Sequence, residues 1–491
     1  MAYSTLTRAE LRDRIRGCLI GSAVGDAYGL ATEFMSRSTV EVIYGNGPIA
    51  FGRDPGYPVW EDHHRSIADR NDFTDDTDQL LLILQSLQQT RDGKLDPVNF
   101  AHRLLEWLYQ GIPEIGTDPG RGLGFTVGQV IHHPLFKKNP HRAAFEVWDA
   151  SGRNLAPNGA VMRTAVLGIE SFWDEPRVVE NTMAAAKVTH ADPRSVVSAL
   201  VSSVLISRLL RGGGLDAVHD STCIWNPKLG DHEYRRELLS YLQRGTNMQH
   251  GQFLNPVYPE ATSSNQYRPK DYEALGAKLL EEEAQSEESY RAQLKNRSHL
   301  GWNMKRPQVI FRPDKGWSGI DCVGEDEAMG ALARSVVADY KFLLQETDVA
   351  PTTKPEEQHY QERWATELEA HCFPQSLRQL ELGEGTKIGY TFKCIGVAYY
   401  GATRRVDPSP TAPEYSGPAG LFRGVMEQVT LQGGDADTND AVMGSLLGAR
   451  FGLEKGIPTG WWTELQHLKW FEDTVDQFLD RVLSQYDTAA I

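Results

Sequence analysis

Apolar positions along this chain recur mostly at helical spacing. Leu11, Ile15, Cys18 and Leu19 share one helical face, and Leu80, Ile83, Leu84 and Leu87 share another. Residues 196–210 are apolar nearly all round, the pattern of a helix buried on every side. Few stretches alternate with period two, and the Ala/Leu-rich segments are joined by Gly, Pro and Asn turns. The pattern predicts an all-α protein. It changes at Gly212-Gly213-Gly214, which breaks the buried helix. From there to about residue 385 the chain is polar, with loops expected around 255–270 and 349–357 and helices at 272–294, 325–345 and 359–371. A single core rarely grows past about 250–300 residues. The expected organisation is therefore a discontinuous core of 1–211 and 386–491, with 212–385 as an insertion or subdomain.

Charge and cysteine usage narrow the class. Fifty basic against 66 acidic side chains leave a net charge of −16, so bulk charge gives no support for nucleic-acid binding, which usually relies on a basic field. The five cysteines form no CxxC, which fits reduced thiols in a cytosol-like compartment. The apolar run 19–24 is short, Gly-rich and closed by Asp26, a poor signal peptide. The uncharged apolar stretch 195–207 is too short to span a bilayer. The expectation is a cytoplasmic protein with no membrane partner; the sequence is silent on oligomeric state.

Two kinds of motif bear on chemistry. Gly17, Gly21, Gly25 and Gly29 stand four residues apart, and Gly444 and Gly448 repeat the spacing. An interior helical Gly costs about 1 kcal/mol relative to Ala, so the stripe implies close helix packing that brings the flanking segments together. The second kind is an acid-rich turn at a helix mouth, found twice: Thr74-Asp75-Asp76-Thr77-Asp78 before the helix at 80–87, and Gly433-Gly434-Asp435-Ala436-Asp437-Thr438-Asn439-Asp440 before another. One N-cap needs one such residue. Three carboxylates within four positions repel unless a cation sits among them, and hard cations such as Mg²⁺ and Ca²⁺ take carboxylate and hydroxyl oxygens. The EF-hand pattern is absent. Two such turns on separate elements can supply the four or more oxygens of a two-metal site.

Weaker signals are the Gly-rich run 121–128, whose backbone amides suit a phosphate, the Asn158-Gly159 turn, and Thr189-His190 before the buried helix. His63-His64 and His132-His133 lack metal-like spacing and read as surface or loop residues. Trp461-Trp462 reads as packing.

These motifs, in this order, resemble the ADP-ribosylglycohydrolase family, which includes the dinitrogenase-reductase-activating glycohydrolase and the ADP-ribosyl-arginine and ADP-ribosyl-serine hydrolases. The matching stretches are GCLIGSAVGDAYG, FTDDTDQ, RGLGF, NGAVMR, THADP, IGYTFKCIG and GGDADTNDAVMGSLLGARFG. The match runs over roughly 10–211 and 386–470. The resemblance implies a single all-α domain with a dinuclear Mg²⁺ (or Mn²⁺) cleft. By resemblance, Thr74, Asp75, Asp76, Asp435, Asp437 and Thr438 are the metal ligands, and Glu33 is a mobile acid at the metals. Gly122, Leu123, Gly124 and Phe125 then face a diphosphate, and Asn158, Gly159 and His190 line an ADP-ribose cleft. The implied reaction is hydrolysis at the anomeric C1″ of an ADP-ribosyl group, with Asp75, Asp76 or Glu33 as acid or base. The rival readings are a catalytically silent ADP-ribose-binding protein and a metal-dependent nucleotide phosphoesterase.

Overall fold

The computed structural model describes residues 4–216, 220, 223–243, 323–345, 355–410 and 412–489. Its principal helices are α1 (Arg8–Gly29), α2 (Asp75–Gln88), α3 (Pro97–Gln110), α4 (Phe125–Ile131), α5 (Glu175–Ala186), α6 (Pro193–Leu210), α7 (Glu327–Tyr340), α8 (Thr391–Ala402), α9 (Gly417–Thr430), α10 (Ala436–Phe451) and α11 (Leu468–Ala489). Among the described residues extended pairing is confined to isolated bridges, and the fold is all-α.

Helix α1 starts on a capping box. The Thr7 hydroxyl accepts from the Glu10 amide while the Glu10 carboxylate takes the Thr7 amide at 2.8 Å. Its centre has no long side chains facing α10. A methyl group built on Gly21 would lie 2.5 Å from the Gly444 carbonyl oxygen, and Gly17, Gly25 and Gly29 are equally tight against Gly448, Asp440 and Ala436. The order of these pairs makes the helices antiparallel and their backbones nearly touching. The end of α1 therefore abuts the beginning of α10. This is the mechanical result of the glycine stripe: the residues after α1 and the acid-rich turn before α10 are forced into one place.

Helix α6 is buried along all 18 residues. By length and composition it is apolar enough to cross a bilayer, and here it lies wholly inside the protein. It ends at Leu210, and Gly212 and Gly214 turn the chain away with φ of 93° and 77°. The segment 323–345 returns to it. Arg208 of α6 binds Glu175, Ser335 and Asp339 (2.8, 2.9 and 2.6 Å), and Arg211 binds Glu175 as well. The helix expected at 325–345 appears as α7 and a short 3-10 turn, Lys341–Leu344. That expected at 359–371 appears as Pro355–Cys372. The helix expected at 272–294 lies outside the described residues. Trp461 packs as expected, stacked on Tyr28 at 4.6 Å.

Candidate active site

The first acid-rich turn is built on Asp26 of α1. The carboxylate of Asp26 accepts the amides of Thr74 and Thr77 (both 3.0 Å) and the Thr77 hydroxyl (2.6 Å). This fixes the entry into α2, where Thr74 is the N-cap. The three acids of the turn then part company. Asp78 turns away into a buried ion pair: Arg121 donates Nε and Nη2 to it (3.0 and 3.1 Å) and Nη1 to Asp72 (2.6 Å), and Trp107 Nε1 adds a bond at 2.9 Å. Repulsion among three carboxylates is thus relieved at one of them by arginine. Asp75 and Asp76 remain without a cationic partner among their hydrogen bonds. Gln79 donates to Asp75 Oδ2 at 2.8 Å, and Asp76 Oδ2 is buried with no partner at all.

The second turn uses different means. Gly433 and Gly434 take φ of 70° and 78°, a region open to glycine at little cost. Gly434 exchanges hydrogen bonds with the strand-like residues after Glu33: Phe34 N to Gly434 O at 2.7 Å, and Gly434 N to Met35 O at 2.8 Å. This bridge brings Glu33 to the turn. Carboxylate oxygens of Glu33, Asp435 and Asp437 all lie within 4.8 Å of one another and all three residues are buried. Asn158 Nδ2 donates to Asp435 Oδ2 at 2.8 Å, and Gly389, whose carbonyl accepts the Asn158 amide at 2.9 Å, is close enough that a side chain there would crowd Asp435.

The electrostatics link the two turns. Burial, and then the charges of Glu33, Asp26, Asp78 and Asp435, push the Asp75 carboxyl well above the usual range. Burial, with Asp26, Asp75 and Asp435, does the same to Asp76. Burial, with Glu33, Asp76, Asp435 and Asp26, raises Asp437 likewise. Burial raises Asp26 and Asp435 to about 6, against the lowering effect of their hydrogen bonds. Isolated buried carboxylates are too costly to ionise together. An oxygen-rich, water-poor cluster with an orphaned carboxylate oxygen is chemically suited to a divalent cation, and the residues present fit one.

A hydrogen-bonded relay runs from this cluster to His190. Gln79 accepts from Arg163 Nη1 at 2.6 Å, Arg163 Nη2 reaches Thr189 Oγ1 at 2.5 Å, and Thr189 Oγ1 meets His190 Nδ1 at 2.8 Å. Burial, and then the Arg163 charge, hold His190 well below its ordinary pKa, so the ring is neutral. The opposite ring nitrogen, Nε2, is buried and has no hydrogen-bond partner. Gly159 lies directly against this edge of the ring.

The structure thus gathers Glu33, Asp75, Asp76, Asp435, Asp437 and Thr438, whose amide donates to Asp437 Oδ1 at 2.8 Å, beside Thr74. The loop Gly122, Leu123, Gly124 and Phe125 stands next to them: Gly122, at φ 68°, leaves no room for a side chain beside Asp75, and Gly124 is the N-cap of α4. Asn158, expected to line an ADP-ribose cleft, donates Nδ2 to Asp435 Oδ2 at 2.8 Å. His64, read from sequence as a surface or loop residue, holds Glu33 Oε2 through Nε2 at 2.6 Å, because the chain after Trp60 folds back over the end of α1. Sequence reasoning assigned no role to Asp26, Gln79, Arg163 or Gly389. Asp26 had a signal, since it is the sole charge between Arg16 and Glu33.

The family model for ADP-ribosylglycohydrolase matches residues 7–295 and 322–488. The ADP-ribosylarginine hydrolase Tri1 of Serratia proteamaculans is 25% identical over 209 residues, 42% of this chain and 50% of that protein. The ADP-ribosylhydrolase ARH3 of Gallus gallus is 29% identical over 206 residues, 40% of this chain and 51% of that protein. The chain thus spans about half the length of these relatives. A solved structure described as an ADP-ribosylglycohydrolase-related protein complex superposes with a TM-score of 0.42 at 19% identity, over 96% of this chain and 98% of that one. The family match takes in most of the sequence, including both acid-rich turns and the helices that join them, and the chain belongs to the ADP-ribosylglycohydrolase family.

Proposed function

We propose that this protein hydrolyses the glycosidic bond at C1″ of an ADP-ribosyl group, releasing ADP-ribose from a modified protein side chain or a small conjugate. The observation that carries the reading is the convergence of both acid-rich turns and Glu33 on one buried cluster. Thr74, Asp75, Asp76, Asp435, Asp437 and Thr438 would hold two Mg²⁺, with Mn²⁺ as the alternative. Bound there, divalent cations supply positive charge and Lewis acidity in a water-poor pocket.

The chain's own groups supply the rest. Glycoside cleavage needs one group to take a proton from the attacking water and another to give one to the leaving atom. Asp75, Asp76 and Glu33 are the acids in place, and burial favours the protonated form of Asp75 and Asp76. Gln79 fixes the orientation of Asp75. The amides of the 122–125 loop face the diphosphate, with Arg121 anchoring the loop to the start of α2. His190 offers its unpartnered Nε2 to the ADP-ribose, and Asn158 steadies Asp435 at the same wall. The role of 212–385 as an insertion bearing on substrate choice belongs to this proposal too.

The test is a product chromatogram. Protein with Mg²⁺ and an ADP-ribosylated peptide is expected to yield free ADP-ribose, and Asp75→Asn is expected to abolish the yield. Release of AMP or phosphate would identify a phosphoesterase instead, and binding of ADP-ribose without turnover would identify a silent binder.

A further inference from the structure

Glu33 is pinned at its backbone and at one carboxylate oxygen by a segment that carries none of the proposed cation ligands. Arg65 Nη2 donates to the Glu33 carbonyl at 2.5 Å and Arg65 Nε to that of Ala31 at 2.9 Å. The bridge to Gly434 holds the residues that follow. These contacts fix the main chain and leave the three rotatable bonds of the Glu33 side chain undetermined. The one described hydrogen bond on the carboxylate is from His64 Nε2, at 2.6 Å. His64 is itself braced: Phe34, in the left-handed region at φ 56°, sets its ring beside the imidazole at a centroid distance of 5.1 Å. The imidazole is one-third exposed and Phe34 is about half exposed, whereas Glu33 is buried. His64 therefore stands on the solvent side of Glu33.

We infer that His64 is a positioning residue that holds one oxygen of Glu33 and so keeps the other presented to Asp435 and Asp437. The inference rests on the cation site proposed above. It extends that site to a residue outside both acid-rich turns, and gives a reason why the 60–66 loop folds over the end of α1. Groups that orient a ligating side chain typically contribute about 10–100-fold to metal affinity or activity. His64 acts here as a hydrogen-bond donor, so a neutral donor of similar reach should substitute for it.

The test is a Mn²⁺ titration of the full chain by calorimetry, with no substrate present. His64→Ala is expected to weaken Mn²⁺ binding by about 10-fold, and His64→Gln is expected to recover most of the loss. In a Glu33→Ala background, His64→Ala should add nothing further, since the two residues act as one unit. Unchanged Mn²⁺ affinity in His64→Ala would overturn the inference. So would an equal loss with and without Glu33, because His64 would then be acting on the fold rather than through Glu33; melting curves in EDTA for all four proteins show any such general effect. Because binding is read without substrate, a failure to release ADP-ribose would count against the proposed function and leave this result to stand or fall alone.

Discussion

The two acid-rich turns look alike in sequence and are built differently. Both open a helix, and both carry an acid three residues after a candidate ligand: Asp78 after Asp75, and Asp440 after Asp437. Asp78 is answered by the Arg121 guanidinium. Burial raises its carboxyl, and the charge and hydrogen bonds of Arg121 oppose that rise. Asp440 has no such cation among its hydrogen bonds. Its Oδ2 lies 2.5 Å from the Thr430 hydroxyl, whose single hydrogen has the Met426 carbonyl as an alternative acceptor at 2.8 Å. Burial, only partly offset by Thr430, holds Asp440 well above the carboxylate range. The other oxygen of Asp440, Oδ1, is buried with no hydrogen-bond partner. The same residue type at the same offset is therefore met by a guanidinium in one turn and by a single hydroxyl in the other. Composition at a helix mouth is not a ligand set until each acid's counter-group is known.

That contrast can be broken or sharpened by substitution. The largest effect is expected where the ion pair is stranded. Arg121→Met leaves Asp72 and Asp78 buried without their partner, and should cost about 3–5 kcal/mol in urea unfolding. Next comes activity: Asp75→Asn and Asp437→Asn, one from each turn, should each lower kcat by about 100-fold or more, since even outer groups at metal sites contribute up to that much. Equal losses from both turns support one shared site.

Packing between α1 and α10 should follow. Gly25→Ala gains helix propensity but drives a methyl group into the Asp440 carbonyl, and overpacking should leave it about 1–3 kcal/mol less stable than the parent. A smaller effect is expected from pH in EDTA. Asp26 and Asp435 have carboxyls at about 6 in the folded protein against 3.8 for the ordinary value. The folded state then binds more protons than the unfolded chain across that window, so stability falls as pH rises through it. Melting in EDTA should therefore occur at lower temperature at pH 7 than at pH 4.5. The smallest effect should come from Asp440→Asn. An Asn amide can donate to Thr430, whose hydroxyl has the Met426 carbonyl as its acceptor, and the change should stay below about 1 kcal/mol. A cost like that of Arg121→Met would show that Asp440 is charged.

Much of this was legible in the chain. Helical periodicity gave the all-α class, and the glycine stripe foretold the α1–α10 contact because a backbone-to-backbone approach leaves no other residue type possible. The paired Asp/Thr turns pointed to a shared cluster. What periodicity and local spacing do not encode is which distant group answers each acid. Arg121 is 43 residues from Asp78 and His64 is 31 from Glu33, and those pairings exist only once the chain has folded. Asn158 shows the same gap: the turn signal located it, and only the fold shows its amide on Asp435.

The central claim is that the two turns make one cation site. Mn²⁺ titration of the parent, Asp75→Asn and Asp437→Asn by calorimetry tests it most directly. Either substitution is expected to weaken all of the Mn²⁺ binding seen in the parent. Retention of part of the binding at full affinity in each variant, with the two variants losing different parts, would mean two independent sites and would contradict it.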